Sequence, residues 1–349
     1  MEGKKPYLAV VLIQMIYAGY FLLTKLAFDV GMNTCVFVFY RQAAASLFLV
    51  PITIIFERKS APPLSFSLTI KIFLLSLIGI TMSLNIVGVA LKYTSASLGA
   101  ASSNTLPVIT FFLAVLLRME NIKLRTIGGI MKFGGLSLCI AGVATIAFFK
   151  GPLLKLLVHH HLISSRIREM RRGEDPAADT WIKGVFLMML SNVTWALWLL
   201  LQGRLLKGCP SKLLLTTLQC LLSTIQSFLV ALVFARDLNQ WKLGFNVQLL
   251  SIFYCGAVVT GVTFYLQAWV IEKKGPIFLV MTTPLIMIFT ITISAFVYGE
   301  IISFGSVLGA ILLVGGLYCV LWGKMREDDI AKGECNSKVD AEKASCVAN

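Results

Sequence analysis

The chain has 349 residues, 57% hydrophobic and 14% charged, with a mean hydropathy of +0.83 and a net charge of +14. This balance excludes a soluble domain. In a chain built for lipid, the basic excess has to be explained by membrane orientation before nucleic acid is considered.

Apolar runs of about 20 residues, enough to cross a hydrocarbon core of about 30 Å, fall at 7–28, 35–56, 70–91, 97–118, 126–149, 182–205, 212–234, 248–271, 277–298 and 303–322. They are continuously apolar, which predicts helices, because barrel strands alternate and are half as long. The expectation is an all-α membrane protein with ten transmembrane helices. The first run follows Lys4 and Lys5 as a signal peptide would, but it is too long and no small-x-small cleavage site follows it, so it is read as a retained helix. Eight cysteines are scattered without metal or disulfide spacing and read as small apolar fillers. His159, His160 and His161 read as part of a solvated polar tract. No metal or cofactor is expected.

With both termini in the cytosol, the cytosolic segments carry 18 basic residues and the short external loops only Lys92, Arg236 and Lys242, the bias expected of a multi-pass protein. The connection at 150–181, with Lys150, Lys155, Arg166, Arg168, Arg171 and Arg172, runs against that bias, so either the rule is overridden there or the count of helices in the first half is off by one.

The count of ten rests on an internal repeat. At an offset of 178, Tyr17 falls on Trp195, Ala18 on Ala196, Tyr20 on Trp198 and Arg41 on Gln219. At 177, Gly79 falls on Gly256 and Pro107 on Pro284. At 180, Glu120 falls on Glu300, Gly129 on Gly309 and Gly135 on Gly315. Ordered matches with so little drift point to a duplication. The units expected are five-helix repeats at 7–149 and 182–323, a polar basic connecting loop at 150–181 and a flexible cytosolic tail at 324–349. Five is odd, so the second copy enters the membrane upside down. Inverted repeats put a substrate site near the midplane, where the copies meet.

Two prolines sharpen that expectation. Pro107 and Pro284 each sit inside an apolar run. There a proline removes one amide donor and leaves the carbonyl four residues back, of Ser103 or Val280, without its helical partner in a medium that supplies none. Both are read as helix breaks or hinges facing each other across a pseudo-twofold axis. Ser102, Ser103, Asn104, Thr105, Thr282 and Thr283 supply polar groups beside them.

Uncharged polar and aromatic residues gather on a few helices. Gln14, Tyr17, Phe21 and Lys25 share one stripe. Asn192, Trp195, Trp198 and Gln202 make a second band, and Asn85, Asn104, Tyr265 and Gln267 join them. Together they outline a cavity among helices one, three, four, six, eight and nine for a small polar or amphipathic solute. Three cations lie within helices. Lys25 and Lys132 are near enough to helix ends to snorkel, and Lys132 is within reach of Glu120. Arg41 is deeper and is read either as the holder of a substrate carboxylate or as a donor to a carbonyl of an opposing helix. No carboxylate lies mid-helix, Glu120 and Glu300 being at ends, so the chain leans toward a facilitator. Glu120, Lys132, Glu300 and Gly309 are assigned structural roles. The small faces of the fifth and tenth helices suit close helix packing or contact between copies, a homo-oligomer being one outcome.

The segments "FVFYRQAAASLFLVPI", "SASLGAASSNTLPVITFFLAVLLRME", "WLLLQGRLLK", "YLQAWVIEKKGPIFLVMTTPL" and "GLYCVLWGK" resemble the plant branch of the drug/metabolite transporters. Its members carry two EamA domains and are called walls-are-thin-related, UMAMIT or nodulin-like proteins. The resemblance spans about residues 5 to 325. It implies a ten-helix carrier of the plasma membrane or tonoplast, the former preferred, that moves amino acids in either direction and often exports them. Some relatives are linked to auxin or other metabolites. An intramembrane enzyme would need a catalytic pair at depth, and the helices carry no His, Asp or Glu there and no GxSxG. A channel, or a structural membrane protein without transport, is the remaining alternative to a carrier.

Overall fold

The structure is a computed structural model. It describes residues 5–57, 66–94, 99–119 other than 101, 126–148, 153–154, 178–206, 211–298 other than 245, 302–303 and scattered residues of 308–326. The helices are α1 (Lys5–Asp29), α2 (Thr34–Glu57), α3 (Phe66–Tyr93), α4 (Ser103–Leu116), α5 (Ile127–Phe148), α6 (Ala178–Leu206), α7 (Lys212–Phe234), α8 (Val247–Lys274) and α9, made of Pro276–Met281 and Pro284–Tyr298. The described residues among 308–323 are helical as well.

Among the described residues, six helices are long and apolar enough to cross a membrane: α1, α2, α3, α7, α8 and the part of α6 from Lys183 to Leu206. The protein is a multi-pass membrane protein. Outside the helices, Leu153–Leu154 pairs with Ile302–Ser303 in a two-residue antiparallel ladder. It ties the polar connection after α5 to the segment after α9, and the fold is otherwise helical, as the all-α expectation has it. Glu120, Glu300, the rest of the 150–177 connection and the tail from 327 lie outside the described residues.

Contacts fix the helix directions. The hydroxyls of Ser46 and Thr224 are 2.9 Å apart and those of Thr53 and Thr217 2.6 Å apart, so α2 and α7 run antiparallel. Gly184 meets Thr94, while Ser83 and Ser191 exchange hydroxyl bonds of 3.0 and 3.3 Å, so α3 and α6 are antiparallel. Lys25 reaches Leu91, near the far ends of α1 and α3, which makes those two parallel. The first helix and the sixth therefore start at opposite ends of the bundle.

Periodicity gave no sign that α3 and α8 would each carry a π-helical segment, Ser76–Met82 and Tyr254–Val262. The widened turn accommodates glycines under tight neighbours. A Cβ on Gly79 would lie 2.3 Å from Trp198 Cδ1, and one on Gly256 would lie 2.8 Å from the Arg41 carbonyl. In α8 the π segment also aims Thr260, whose hydroxyl donates five residues back to Cys255 at 2.9 Å.

The prolines do not sit mid-helix as the apolar runs suggested. A 3-10 turn at Ser103–Thr105 leads into Leu106–Leu116, leaving Pro107 in the first α-turn, where its missing amide costs nothing. The Ser103 carbonyl accepts instead from the Leu106 amide, one turn type tighter. Pro284 likewise opens the second half of α9. The Val280 carbonyl accepts from the Thr283 amide at 3.0 Å and the Thr283 hydroxyl at 2.6 Å. Thr282 serves Leu279 in the same way, at 3.2 and 2.7 Å. The threonines before the break are its repair.

On the small faces of α5 and the last helical stretch, Gly135 and Gly316 pack on each other. A Cβ on Gly135 would meet the Gly316 carbonyl at 2.6 Å, and one on Gly316 the Gly135 carbonyl at 2.6 Å. The contact joins Gly135 to Gly316, one residue beyond the match at Gly315. Gly309 is buried, and Lys132 is buried beside Gly323.

Two stability tests follow from this packing. Gly135→Ala is expected to destabilise the protein by about 1–3 kcal/mol through overpacking. Its neighbour Gly134, with nothing within 4 Å of where a Cβ would stand, is expected to tolerate alanine or gain about 0.5–1 kcal/mol. Thermal unfolding in one detergent reads both signs. Thr283→Val is expected to cost about 1 kcal/mol in the same assay, and Thr283→Ser close to nothing, because only the hydroxyl on Val280 is at stake.

Candidate functional site

A cavity of about 80 Å³, room for several waters, opens between the two repaired breaks. Ser103 and Leu106 reach it from α4, and Leu279, Val280, Thr283 and Ile286 from α9. The other walls come from α1 (Gln14, Tyr17, Tyr20, Phe21), α2 (Arg41), α3 (Ser83, Leu84, Val87), α6 (Met188, Ser191, Asn192, Trp195, Leu199) and α8 (Gln267). Six of these seven helices are those that the polar residues outlined, and α2 is the addition.

Arg41 carries the cavity's one formal charge, since no acidic residue lines it. The side chain is 1% exposed. Its Nε donates to Thr260 Oγ1 at 2.8 Å, and its guanidinium carbon lies 4.8 Å from the centre of the Tyr20 ring. A hydroxyl and an aromatic face thus take the place of the opposing carbonyl considered from the sequence. The ion pairs among the described residues, Lys25–Asp29 and Lys212–Glu272, leave Arg41 out. A buried cation held only by neutral partners favours any anion that can reach it.

Gln14, Tyr17, Asn192, Trp195 and Gln267 also stand in the wall. The Gln14 amide donates to Thr282 Oγ1 at 2.7 Å. Asn192 Nδ2 donates to the Ser102 carbonyl at 2.8 Å and to Thr105 Oγ1 at 3.1 Å. Gln267 Nε2 donates to the Tyr17 hydroxyl at 3.1 Å, while its Oε1 is buried and has no partner. Tyr17 meets Trp195 edge to face at 6.5 Å, and Trp195 lies 4.6 Å from Trp198.

The remaining sequence candidates lie elsewhere. Lys25 donates to the Leu91 carbonyl at 3.0 Å and pairs with Asp29 at 3.1 Å, away from the cavity wall. Asn85 donates to Thr81 on its own helix, and Asn104 to the sulfur of Met287. Trp198 is fully buried behind Trp195, against Gly79. Gln202 is buried, with both amide atoms unpartnered. Tyr265 points out of the bundle at 38% exposed. Pro107 and Pro284 are buried behind the wall rather than in it. The sequence reading missed Ser83, Ser191 and Thr260. Small hydroxyl residues are common in membrane helices and give no signal of which neighbour they face.

The chain matches the EamA-like transporter family twice, over residues 4–148 and 182–322. It is 53% identical over 350 residues to a WAT1-related protein of Arabidopsis thaliana, covering 99% of this chain and 97% of that protein. A second WAT1-related protein of the same plant is 44% identical, over 97% of each. The protein WALLS ARE THIN 1 of Arabidopsis thaliana is 31% identical, over 95% of this chain and 86% of that protein. A crystal structure superimposes with a TM-score of 0.61 over 91% of this chain and 97% of that one, at 14% identity, a likeness of fold alone. With a cavity walled by seven helices and these relatives, the chain is a plant WAT1-related member of the drug/metabolite transporters and belongs to the EamA-like transporter family.

Proposed function

We propose that the protein is a facilitative carrier of amino acids, working by alternating access between two inverted five-helix repeats, with Arg41 holding the solute's carboxylate. Both termini face the cytosol, and the plasma membrane is the favoured residence. The repeat reading is supported by a contact between equivalent positions, Ser46 and Thr224, which are 178 apart and touch; Gly135 touches Gly316, one residue beyond its match. Two copies related by a twofold axis meet their own images only on that axis. The third helix of each half is supporting evidence too, since Phe66–Tyr93 and Val247–Lys274 have 28 residues each and both contain a π segment. The six long spans, the three shorter apolar helices and the last helical stretch make ten.

One observation carries the choice of cargo: a cation with no acidic partner and a buried acceptor with no donor stand in the same wall. Arg41 answers a carboxylate, and Gln267 Oε1 answers an ammonium. A second reading, an auxin-like aromatic carboxylate, is favoured by the rings of Tyr17, Phe21 and Trp195 in the same wall.

Uptake of labelled glutamine by proteoliposomes tests the proposal. The expected result is saturable flux that is unchanged when the pH gradient is collapsed, because no acidic side chain lines the cavity. Arg41→Met is expected to lower it by about ten- to hundredfold, the worth of a hydrogen bond to a charged group, with Arg41→Lys in between. Flux no greater than that of empty liposomes, from folded protein, would overturn the amino-acid reading. Indole acetate competing far better than glutamine would favour the second one.

A further inference from the structure

Two hydrogen bonds beside the cavity are images of one another. On α1, Gln14 Nε2 donates to Thr282 Oγ1 at 2.7 Å; on α6, Asn192 Nδ2 donates to Thr105 Oγ1 at 3.1 Å. Gln14 and Asn192 are 178 positions apart, and Thr105 and Thr282 are 177 apart, the offsets that relate Tyr17 to Trp195 and Pro107 to Pro284. Each threonine stands two residues before its proline, and each passes the bond on alike. Thr282 Oγ1 donates to the Leu279 carbonyl at 2.7 Å and Thr105 Oγ1 to the Ser102 carbonyl at 2.8 Å, acceptors again 177 apart. Chance pairing of polar groups in a dry bundle gives no reason for a three-member chain of bonds to be built twice at equivalent positions.

Their locations suggest what they do. The Gln14 bond ties α1 to the leading half of α9. Tyr7 and Phe278 pack edge to face at 5.4 Å in the same seam, at the end of the bundle where α1 begins. The Asn192 bond ties α6 to the start of α4, at the end where α6 begins and Gly184 packs on Thr94. These ends are opposite. Each bond also joins the first helix of one repeat to the proline break of the other, so neither half can rock against its partner with both intact.

We propose that the two amide–threonine bonds are the latches of two gates at opposite ends of the cavity, with Gln14 and Asn192 as the gate residues. The solute leaves toward the start of α1 when Gln14 releases Thr282, and toward the start of α6 when Asn192 releases Thr105. Both amides line the cavity, so a bound solute competes for the groups that hold the gates shut. The gates are unequal. Asn192 Nδ2 also donates to the Ser102 carbonyl at 2.8 Å, whereas the Gln14 amide makes one such bond, so the gate at the start of α1 is the weaker. The inference rests on the alternating-access reading but not on the cargo.

Hydrogen exchange read by mass spectrometry, on the full chain in lipid nanodiscs without any solute, tests it. Thr282→Val, which keeps the side-chain shape, is expected to speed exchange in Ile277–Met281 and the first turns of α1 and to slow it in Ser103–Thr105. Thr105→Val is expected to do the reverse. Each shift is about threefold, the population change that an average interhelical hydrogen bond brings. Gln14→Leu and Asn192→Leu should repeat the two patterns, and Thr282→Ser and Thr105→Ser should match the unaltered protein. Faster exchange only beside the broken bond, with no protection gained at the opposite end, would mark the bonds as packing and overturn the latches. A see-saw in a protein that does not move glutamine would remove the amino-acid cargo and leave the latches standing. Glutamine flux without a see-saw would do the opposite.

Discussion

A backbone carbonyl in hydrocarbon has no water to accept from, and most of this fold is arranged around that constraint. Regular helices meet it by themselves, so an irregularity survives only where the chain carries its own remedy. Pro107 is tolerated because a 3-10 turn supplies the Leu106 amide to Ser103, and Pro284 because Thr283 gives Val280 both an amide and a hydroxyl. The π segment of α8 meets the same demand with threonines reaching five residues back. Polar side chains are thus recruited to each irregular point, and where two such points face each other they line part of a cavity. The cavity follows from repairing the backbone.

Charge enters this wall once. Arg41 reaches it because the π segment of α8 brings glycine, with no side chain to hold the helices apart, against the Arg41 carbonyl, and one turn on presents Thr260 to its Nε. Tyr20 covers the guanidinium from α1. The equivalent position in the second half is Gln219, which is buried and lies outside the cavity wall. Two halves whose third helices match in length therefore differ in electrostatics.

Reading the sequence caught what depends on local composition. Spans of about 20 apolar residues are obligatory for helices in lipid, and the duplication preserved enough of their order to be aligned. The prolines marked the breaks, although their effect was misplaced by several residues because the turn type that absorbs them depends on the hydroxyls nearby. The cavity stripe was half legible. Gln14, Tyr17, Asn192, Trp195 and Gln267 line the wall, whereas Lys25, Asn85, Asn104, Trp198, Gln202 and Tyr265 do not. Tyr265 and Gln267 are two residues, about 200°, apart on α8, so one orientation of the helix turns only Gln267 to the cavity and leaves Tyr265 pointing out of the bundle. Trp198, on the same side of α6 as Trp195, is hidden by it, which periodicity alone cannot separate.

From the amino-acid order alone came the membrane, the helical class, the duplication, the two breaks and Arg41 as a deep cation, since each follows from how one segment meets a solvent of known thickness and polarity. Tertiary structure decided which polar groups meet. Thr260 against Arg41, Ser83 against Ser191 and Gln14 against Thr282 join residues more than a hundred positions apart. The same is true of the crossing that brings Gly135 against Gly316. Such pairings depend on the rotation and depth of each helix within the bundle, and those are set by packing against all its neighbours at once rather than by any residue in its own sequence.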